Sequence, residues 1–331
     1  MWLGTTTEAR GVSRIPDIPS LVPILHADDC GLSAGITDAI VKCHDHGWLR
    51  RTSVIVTGPG WHYAVAALKQ RPRLGVVLHL NLFEGRPVSP PSEVDLLVDA
   101  RGQFYRGFAA LWSHGVAGRG RSRLRRQLRL ELRRQIERFQ EDLANDGPLA
   151  VDGHVHYHMI PVVFSELLAL CAEYPIRMIR LPREPVYWPW TRLPRPPAVN
   201  LVKNVLLRAL CRRAVPALRE RSVETTAAFV GVLATGGMTL EHVRTALDYL
   251  RRTGASGTVE ILFHPGRARP EEAWLWKERP DLQAFYTSPN RDREAELLRS
   301  EALRELLQVH DNFADRAPSG PTPGQIGPRL D

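Results

Sequence analysis

The stretch LHADDCGLS at residues 25–33 places two adjacent aspartates, Asp28 and Asp29, where an apolar run ends. Burying two like charges side by side costs free energy unless a cation or a proton is shared between them. Carboxylates are common ligands of divalent ions, so a metal is one way to compensate the pair. The pair therefore predicts that other polar groups of the chain, or a bound cation, lie next to it.

Three histidines stand at the ends of other apolar runs: His79 in LGVVLHL, His154 in LAVDGHV and His264 in TVEILFH. Two neutral imidazoles and a carboxylate form a common set for a divalent metal that keeps positions open for water and substrate. Taken singly, each motif has a simpler interpretation, because Asp-Asp-x-Gly suits a turn or a helix cap. A lone histidine is likewise often an interior residue or a solvated turn residue. The metal hypothesis therefore depends on the residues being brought together.

The segment DGHVHYH at 152–158 carries a denser set of polar side chains. Continued as a strand, it would place Asp152, His154, His156 and His158 on one face. Three histidines on one face are hard to satisfy in an apolar core. The segment therefore predicts a metal-binding or catalytic face, without deciding which histidine is a ligand.

Six short apolar runs alternate with helical patterns, which is typical of parallel strands buried on both faces. The predicted strands lie at 21–27, 53–57, 74–80, 149–155, 176–181 and 258–264. Helices are predicted near 34–48, 61–70, 124–143, 160–173, 239–253 and 292–308. In βα barrels and open α/β sheets, sites assemble at the carboxyl ends of the strands. This order of elements predicts an α/β fold that would bring the polar residues together.

Length and composition favour one domain, since 331 residues with 44% hydrophobic content can form a large core. We expect an N-terminal extension at 1–20, a barrel domain at 21–310 with an insertion at 182–238, and a disordered tail at 311–331. The first segment lacks the apolar core of a signal peptide, and no apolar run is long enough to span a membrane. The 4 cysteines form no CxxC motif. A cytoplasmic location is expected.

The formal charge of +8 comes almost wholly from arginine. A basic surface can attract nucleic acid, phosphate-bearing molecules or an anionic membrane, and charge alone does not choose between them. The arginine-rich stretch 119–138 also carries an apolar stripe and the acidic residues Glu131 and Glu137. This pattern is typical of an outer helix, so we expect no nucleic-acid partner.

A set of motifs resembles the YdjC-like, or ChbG/HpnK, family of carbohydrate deacetylases in order and approximate spacing. The motifs are ADDCGLS, VVLHLNLFEGRPV, LVDARGQF, DGHVHYHMIP, IRLPREP and EILFHPG, and the resemblance covers roughly residues 21–305. It implies a distorted TIM-like (β/α) barrel, as in polysaccharide and carbohydrate deacetylases. It also implies a hydrolase that removes an N-acetyl group from an amino sugar with one divalent metal ion.

Carried over by motif, the resemblance makes Asp29, His79 and His154 metal ligands. It makes Asp28 the catalytic base that deprotonates water and His264 the acid that protonates the leaving amine. Ligand type favours Zn²⁺, whereas the family is commonly associated with Mg²⁺, so both ions stay open. The sequence departs from the family at Cys30, where phenylalanine is usual, and at His26, where asparagine or threonine is frequent. Neither departure removes a proposed catalytic group.

Five further residues are candidates for supporting the ligands or contacting substrate: Asn81, Asp152, His156, His158 and Arg180. Asp152 could orient an imidazole of the metal site. Arg180 could contact sugar hydroxyls or an acidic group, and a surface ion pair at a strand end is an equal alternative.

The insertion bears on the substrate. It contains Trp188 and Trp190, followed by a helical pattern in which an apolar face lies beside basic residues. The apolar face comprises Val202, Val205, Leu206, Ala209 and Leu210, and the basic residues are Lys203, Arg208 and Arg212. A basic amphipathic helix can lie on a membrane surface, although it can equally pack its apolar face on the barrel. With a resemblance to the hopanoid-associated, HpnK-type branch, it favours a glycolipid such as hopanoid-linked N-acetylglucosamine.

Three alternative functions stay open. The first is a chitooligosaccharide substrate, and the second is a metal phosphoesterase, which also uses Asp and His ligands. The third is a catalytically silent module that binds sugar or a membrane surface. A peripheral contact with the inner face of the membrane and a homodimer are also compatible with the sequence.

Overall fold

Seven parallel strands form one sheet in the computed structural model, which describes residues 21–117, 120–143, 147–187, 193 and 195–309. The strands are β1 (Leu21–Cys30), β2 (Arg51–Val54), β3 (Gly75–Leu80), β4 (Leu149–Gly153), β5 (Ile176–Ile179), β6 (Ala228–Val230) and β7 (Gly257–Phe263). Their order across the sheet is β5-β4-β3-β2-β1-β7-β6. The strands are rich in Val, Ile and Leu, as expected for a sheet covered on both faces.

The sheet curls toward a barrel. Strand β1 lies inside the sheet between β2 and β7, with Leu21 opposite Gly257 of β7 and His26 opposite Arg51 of β2. The two edge strands approach each other through a parallel bridge between Met178 of β5 and Glu224, just before β6. The architecture is therefore the distorted TIM-like α/β barrel that the sequence predicts.

Ten helices of the described residues surround the sheet. They are α1 (Ala34–Asp45), α2 (Trp61–Lys69), α3 (Phe108–Ala117), α4 (Arg121–Leu143), α5 (Pro161–Leu170), α6 (Ala198–Glu220), α7 (Leu240–Arg252), α8 (Pro280–Tyr286), α9 (Pro289–Leu297) and α10 (Glu301–Val309). The apolar stripe predicted for α4 is buried from Leu124 to Phe139. The Ser33 hydroxyl caps α1 by accepting a hydrogen bond from the Ile36 amide.

The structure differs from the sequence-based expectation at several elements. Strand β6 and helices α3 and α8 are not among the predicted elements, and the single helix predicted at 292–308 is two helices, α9 and α10. Strand β4 ends at Gly153 and does not continue to 155. A three-residue strand such as β6 gives too little alternation to be recognised in a sequence.

Helix α6 lies within the predicted insertion. Its buried side chains include Asn200, Asn204 and Leu207, whereas Val202 and Val205 are 68% and 64% exposed. The segments 1–20 and 311–331 and the tryptophans at 188 and 190 lie outside the described residues, so the predictions about them stay predictions. Among the described helices, none is both long and apolar enough to cross a membrane.

Candidate metal and catalytic site

The two aspartates lie at an irregularity near the end of β1. The register with β2 shifts between Ala27 and Cys30, and Asp29 has a φ of 75°. A non-glycine residue in this left-handed region is uncommon and is found mostly at turns and functional sites. The turn lets the adjacent side chains reach different partners, since Asp28 contacts Arg180 and Asp29 contacts His154 and Arg291.

Asp29, His79 and His154 come together as predicted, because each offers an atom that lies within 4.8 Å of the others. His154 Nδ1 is 3.3 Å from Asp29 Oδ1. The Nε2 atom of His79 is buried and has no hydrogen-bond partner among the described residues. A buried imidazole nitrogen without a partner costs free energy, which a bound cation would offset.

Each histidine of this trio is held from behind by a carboxylate. His79 Nδ1 lies 2.5 Å from Asp152 Oδ1, and His154 Nε2 lies 2.9 Å from Glu84 Oε1. Carboxylates in these positions fix the ring orientation and make the opposite nitrogen a better metal ligand. The expectation that Asp152 orients an imidazole thus agrees with the geometry, and Glu84 plays the same part for His154.

Charges within the trio change the acidity of its members. Burial alone would raise the pKa of Asp29, but the hydrogen bond with His154 and the Arg291 guanidinium hold that pKa well below its usual range. Burial alone would lower the pKa of His154, but contacts with Asp29 and Glu84 raise it to about 9. Asp29 is therefore a carboxylate at neutral pH, which suits a metal ligand.

A second cluster lies beside the trio and is centred on Arg180. Its guanidinium is 2.8 Å from Asp28 Oδ2, 2.7 Å from Asp152 Oδ2 and 2.6 Å from Glu260 Oε1. The side chain is 2% exposed, so it is not the surface ion pair considered from the sequence. All three carboxylates belong to the chain, and Arg180 supplies the cation that compensates them.

The Arg180 cluster also sets the state of Asp28. Burial alone would raise the pKa of Asp28, but the Arg180 charge and the nearby His79 lower it below its usual value. His26, at one of the departures from the family pattern, is buried in the same cluster with Nε2 2.6 Å from Ser53 Oγ. The other departure, Cys30, is buried, which raises the pKa of its thiol to about 12. Among the described residues, Cys30 belongs to neither group of side chains that could hold a metal ion.

His264 approaches from the end of β7. Its backbone amide donates to Glu294 Oε2 at 2.6 Å, which fixes the strand end, and its ring packs edge-on against Phe285. Burial lowers the pKa of His264 to about 4. Among the described residues, none forms a hydrogen bond with the His264 ring. His264 is partly exposed, so its imidazole can reach a bound molecule.

The prediction that Asp152, His154, His156 and His158 share one strand face is wrong. The chain turns after Gly153, and Val155 and His156 have φ values of 50° and 61°. Gly153 allows the turn, because a Cβ there would lie 2.7 Å from His158 Nδ1. His158 Nε2 instead lies 2.9 Å from the Arg180 carbonyl oxygen, and His156 packs against Phe229. Neither is near enough to join the metal trio.

Asn81, a candidate for contacting substrate, is used within the chain. Its amide nitrogen donates to the Glu84 carbonyl oxygen and to Thr57 Oγ1, and its side-chain oxygen accepts from the Phe83 amide. These bonds shape the loop that presents the Glu84 carboxylate. Sequence reasoning missed Glu84, although the quoted motif LNLFEGRP contains it. It also missed four more residues of the site: Glu260, Arg291, Glu294 and Tyr286, whose hydroxyl donates to Glu84 Oε1.

The arginine-rich stretch forms α4, an outer helix as predicted. Arg125 and Arg129 both pair with Glu166, at 2.6 and 2.7 Å, and Arg133 pairs with Glu173 at 2.5 Å. These pairs join α4 to α5 and the turn that follows it. The guanidinium groups thus serve packing between helices.

A parallel α/β barrel with carboxylates and histidines at the carboxyl ends of β1, β3, β4 and β7 defines a barrel of the carbohydrate-deacetylase type. The profile of the YdjC-like protein family matches residues 23–309. The chain belongs to this family. The match is to the family as a whole and does not test the resemblance to its hopanoid-associated branch.

Individual relatives agree with the family. The chain is 30% identical over 301 residues to the carbohydrate deacetylase of Mus musculus, covering 87% of this chain and 91% of the relative. It is 33% identical over 171 residues to the chitooligosaccharide deacetylase of Proteus mirabilis, covering 48% of this chain. That alignment and one with a Brevibacillus brevis relative each span 59% of the bacterial protein.

A solved structure shares the fold. A protein of Enterococcus faecalis V583, described as a candidate for cellobiose-phosphate cleavage, superposes with a TM-score of 0.65 over 88% of this chain and 95% of that protein. The two sequences are 20% identical, so the likeness concerns the fold alone.

Proposed function

We propose that the chain is a metal-dependent hydrolase that removes the N-acetyl group from an N-acetylated amino sugar. The observation that carries this proposal is the buried Nε2 of His79, which lacks a partner and faces Asp29 and His154. Names of relatives that are carbohydrate deacetylases support the substrate class.

The three residues fit one divalent ion, because two imidazoles and a carboxylate leave positions open for water and substrate. When bound, such an ion supplies an acidified water and polarises the acetyl carbonyl. Asp152 and Glu84 would hold the rings of His79 and His154 in place for it. Zn²⁺ and Mg²⁺ are the two candidates, and imidazole ligands favour Zn²⁺.

Asp28 is the proposed base. An amide needs a deprotonated nucleophile and a protonated leaving nitrogen, because amine is a poor leaving group. Asp28 adjoins the proposed ligand Asp29 and is held by two hydrogen bonds from Arg180, at 2.8 and 2.9 Å. Arg180 thereby fixes the carboxylate and keeps it ionised at rest, ready to accept the proton of water.

His264 is the proposed acid. Its low pKa means that the resting ring is neutral at pH 7. A proton removed from water must therefore reach His264 before the C–N bond breaks, and the ring then donates it to the departing nitrogen. The overall change is one water and one amide to acetate and amine. A neutral His264 at rest is compatible with this cycle, because base and acid exchange the same proton.

Metal analysis combined with an acetate-release assay tests the proposal. Protein purified without added metal should contain about one equivalent of divalent ion, and chelation should stop acetate release from N-acetylglucosamine oligomers. Readdition of Zn²⁺ and of Mg²⁺ in parallel identifies the ion that restores turnover. A chelated protein that is still fully active would refute metal dependence, and a phosphoesterase activity in its place would favour that alternative.

A glycolipid, such as a hopanoid-linked N-acetylglucosamine, is the finer substrate that we propose. Support comes from α6, where Val199, Val202 and Val205 are all more than 60% exposed. The same helix buries other apolar side chains, Leu207, Leu210 and Leu218, so the exposed valines form a second apolar stripe. Basic side chains follow on the exposed side at Arg212 and Arg213, and an apolar stripe beside basic residues suits an anionic lipid surface.

Paired assays separate this substrate from a soluble one. We expect sedimentation with anionic vesicles and faster turnover of an N-acetylglucosaminyl lipid than of chitobiose. The triple variant V199S/V202S/V205S should lose vesicle binding and keep turnover of chitobiose. If the protein does not sediment with vesicles and turns over chitobiose faster than the lipid, it is a chitooligosaccharide deacetylase instead.

A further inference from the structure

Helix α9 holds the short segment that follows β7 and begins with His264. The backbone amide of His264 donates to Glu294 Oε2 at 2.6 Å. Two residues on, the Gly266 amide donates to the Arg291 carbonyl oxygen at 2.9 Å, and the intervening Pro265 has no amide proton. Each backbone donor from His264 to Gly266 is therefore bound to α9, which fixes the position of the segment.

The same face of α9 also holds the proposed metal ligand Asp29. The Nη1 atom of Arg291 donates to Asp29 Oδ2 at 3.0 Å, and its Nε atom donates to the Gly266 carbonyl oxygen at 2.6 Å. Arg291 and Glu294 are three residues apart, so their side chains lie on one side of the helix, and both are buried. Helix α9 thus sets the separation between the proposed ligand and the proposed acid.

Glu294 has a second partner in the loop between β6 and α7. Its Oε1 atom accepts a hydrogen bond from the Met238 amide at 3.1 Å, so each carboxylate oxygen is used by one backbone donor. Burial raises the pKa of Glu294 to about 7, and the two amide donors oppose that shift because they favour the ionised form. Rotation of the carboxylate would break both bonds, so the contact to His264 is held in one geometry.

The His264 ring is held less firmly than its backbone. It packs edge-on against Phe285, with the ring centroids 5.7 Å apart, and it has no hydrogen-bond partner among the described residues. The position of the ring therefore follows from the position of the backbone. A general acid must lie within hydrogen-bond reach of the atom that it protonates, so a displaced backbone would impair the acid.

We propose that Glu294 is a positioning residue, which holds His264 where its ring protonates the departing nitrogen. This inference rests on the proposed function for the identity of the acid. In that step an N–H bond of the His264 imidazolium breaks, its proton bonds to the amide nitrogen, and the electron pair of the C–N bond goes to that nitrogen. The products are the amine, acetate and the neutral ring. Glu294 acts on this step and not on metal binding.

Two substrates with different leaving groups test this role at about pH 8, above the pKa of Glu294. Chitobiose is an amide whose nitrogen needs a proton, whereas 4-nitrophenyl acetate releases a phenolate that leaves without one. In E294M, which has a similar size and no acceptor oxygen, kcat for chitobiose should fall about 10- to 100-fold with KM and metal content unchanged. Ester turnover should stay close to that of the wild type. Misfolded protein would lower both rates equally, so the ratio of the two rates measures positioning.

The exposed Glu296 on the same helix offers a matched control, and E296M should leave the ratio unchanged. E294Q, which keeps one acceptor oxygen, should fall between E294M and the wild type. An equal loss of both activities in E294M overturns the inference.

Hydrogen exchange at the His264 amide gives a readout that needs no turnover. Exchange should be about 10- to 100-fold faster in E294M than in the wild type or E296M, as for the loss of a hydrogen bond to a charged group. Unchanged exchange overturns the inference. If the wild-type protein hydrolyses neither substrate and exchange rises in E294M alone, the proposed function fails, whereas the placement of His264 by Glu294 stands.

Discussion

Two clusters of carboxylates and histidines lie side by side at the strand ends, and they differ in how far the chain's own cations compensate them. In one, His26, Asp28 and Asp152 surround the Arg180 guanidinium, which is part of the chain. In the other, Asp29, His79 and His154 converge, and the Nε2 atom of His79 is left without a partner. Similar residue types thus form a self-compensated cluster and a cluster suited to an external ion.

The supporting backbone differs as well. Asp29, Val155 and His156, in or beside the metal trio, have positive φ values, whereas no residue named in the Arg180 cluster does. Positive φ at non-glycine residues costs about 1–3 kcal/mol each and persists where the surroundings impose it. Backbone strain distinguishes the metal candidate from the Arg180 cluster, whereas an imidazole nitrogen without a hydrogen-bond partner occurs in both, at His79 Nε2 and at His26 Nδ1.

Removing a ligand should have the largest effect. His79→Ala or Asp29→Ala should lose most of the bound metal, and deacetylation should fall by at least about 10³-fold, because the metal contributes several kcal/mol to the reaction. Elemental analysis and acetate release measure both, and His62→Ala on the exposed side of α2 is the control. A His79→Ala protein with a full equivalent of metal would show that the two clusters are not distinguished in this way.

Asp28 belongs to the Arg180 cluster but is the proposed base, so its substitution separates the two roles. Asp28→Asn keeps the size of the side chain and cannot accept a proton from water. Turnover should fall by roughly 10²- to 10⁴-fold with the metal mostly retained. His264→Ala should behave in the same way. Near-normal turnover of Asp28→Asn would place the base elsewhere.

Arg180→Met removes the internal cation and leaves Asp28, Asp152 and Glu260 uncompensated. The free energy of unfolding should fall by about 3–5 kcal/mol, as for other buried pairs that lose one partner. The pKa values of Asp28 and Asp152 are lower in the folded protein than in the unfolded chain, where they are about 4. The two ionised carboxylates therefore stabilise the folded protein fully above about pH 4. This stabilisation is lost as the pH falls through the lower pKa values of the folded protein. The variant should unfold at a higher pH in acid titrations. An unchanged acid midpoint would contradict the role of Arg180.

Glu84→Gln tests the support behind His154 and should weaken metal affinity by about 10- to 100-fold. The neutral amide can still accept a hydrogen bond but no longer raises the basicity of the ring. Glu93→Gln, at an exposed pair with Arg134, is the matched control. Competition with a chelator of known affinity measures the change, and equal affinities in the two variants would remove Glu84 from the site.

The smallest effect concerns the strained turn. Val155 is 37% exposed and has a φ of 50°, a region that branched side chains avoid and that asparagine tolerates. Val155→Asn should raise the free energy of unfolding by about 1 kcal/mol in urea titrations, whereas Val155→Thr, which is also branched, should not. A destabilised Val155→Asn protein would mean that the turn is not strained.

The sequence predicts much of this arrangement because buried parallel strands are long apolar runs and their ends carry the polar residues. Asp29, His79 and His154 all lie at the ends of such runs, and the resemblance to the family then selected these three as ligands. His156 and His158 were placed wrongly because alternation was extended through Gly153, where the chain turns. Tight packing of His158 against that glycine is a tertiary contact that no local pattern encodes.

Other parts of the site depend on distant contacts. Glu84 lies in a loop shaped by Asn81, and Arg291 reaches Asp29 from α9, late in the chain. Neither position follows from periodicity or from the end of a predicted strand.

The position of β1 between β2 and β7 has a consequence for biosynthesis. One neighbour of β1, β2, follows it closely in the chain, but the other, β7, begins at Gly257 and emerges from the ribosome much later. Until then β1 has an unpaired edge, and Asp29 lacks Arg291. Chains that stop before β7 should therefore expose an apolar strand edge and an acidic pair without all of its cations, which favours aggregation and early proteolysis. The first strand can therefore become functional only after the last quarter of the chain has been synthesised.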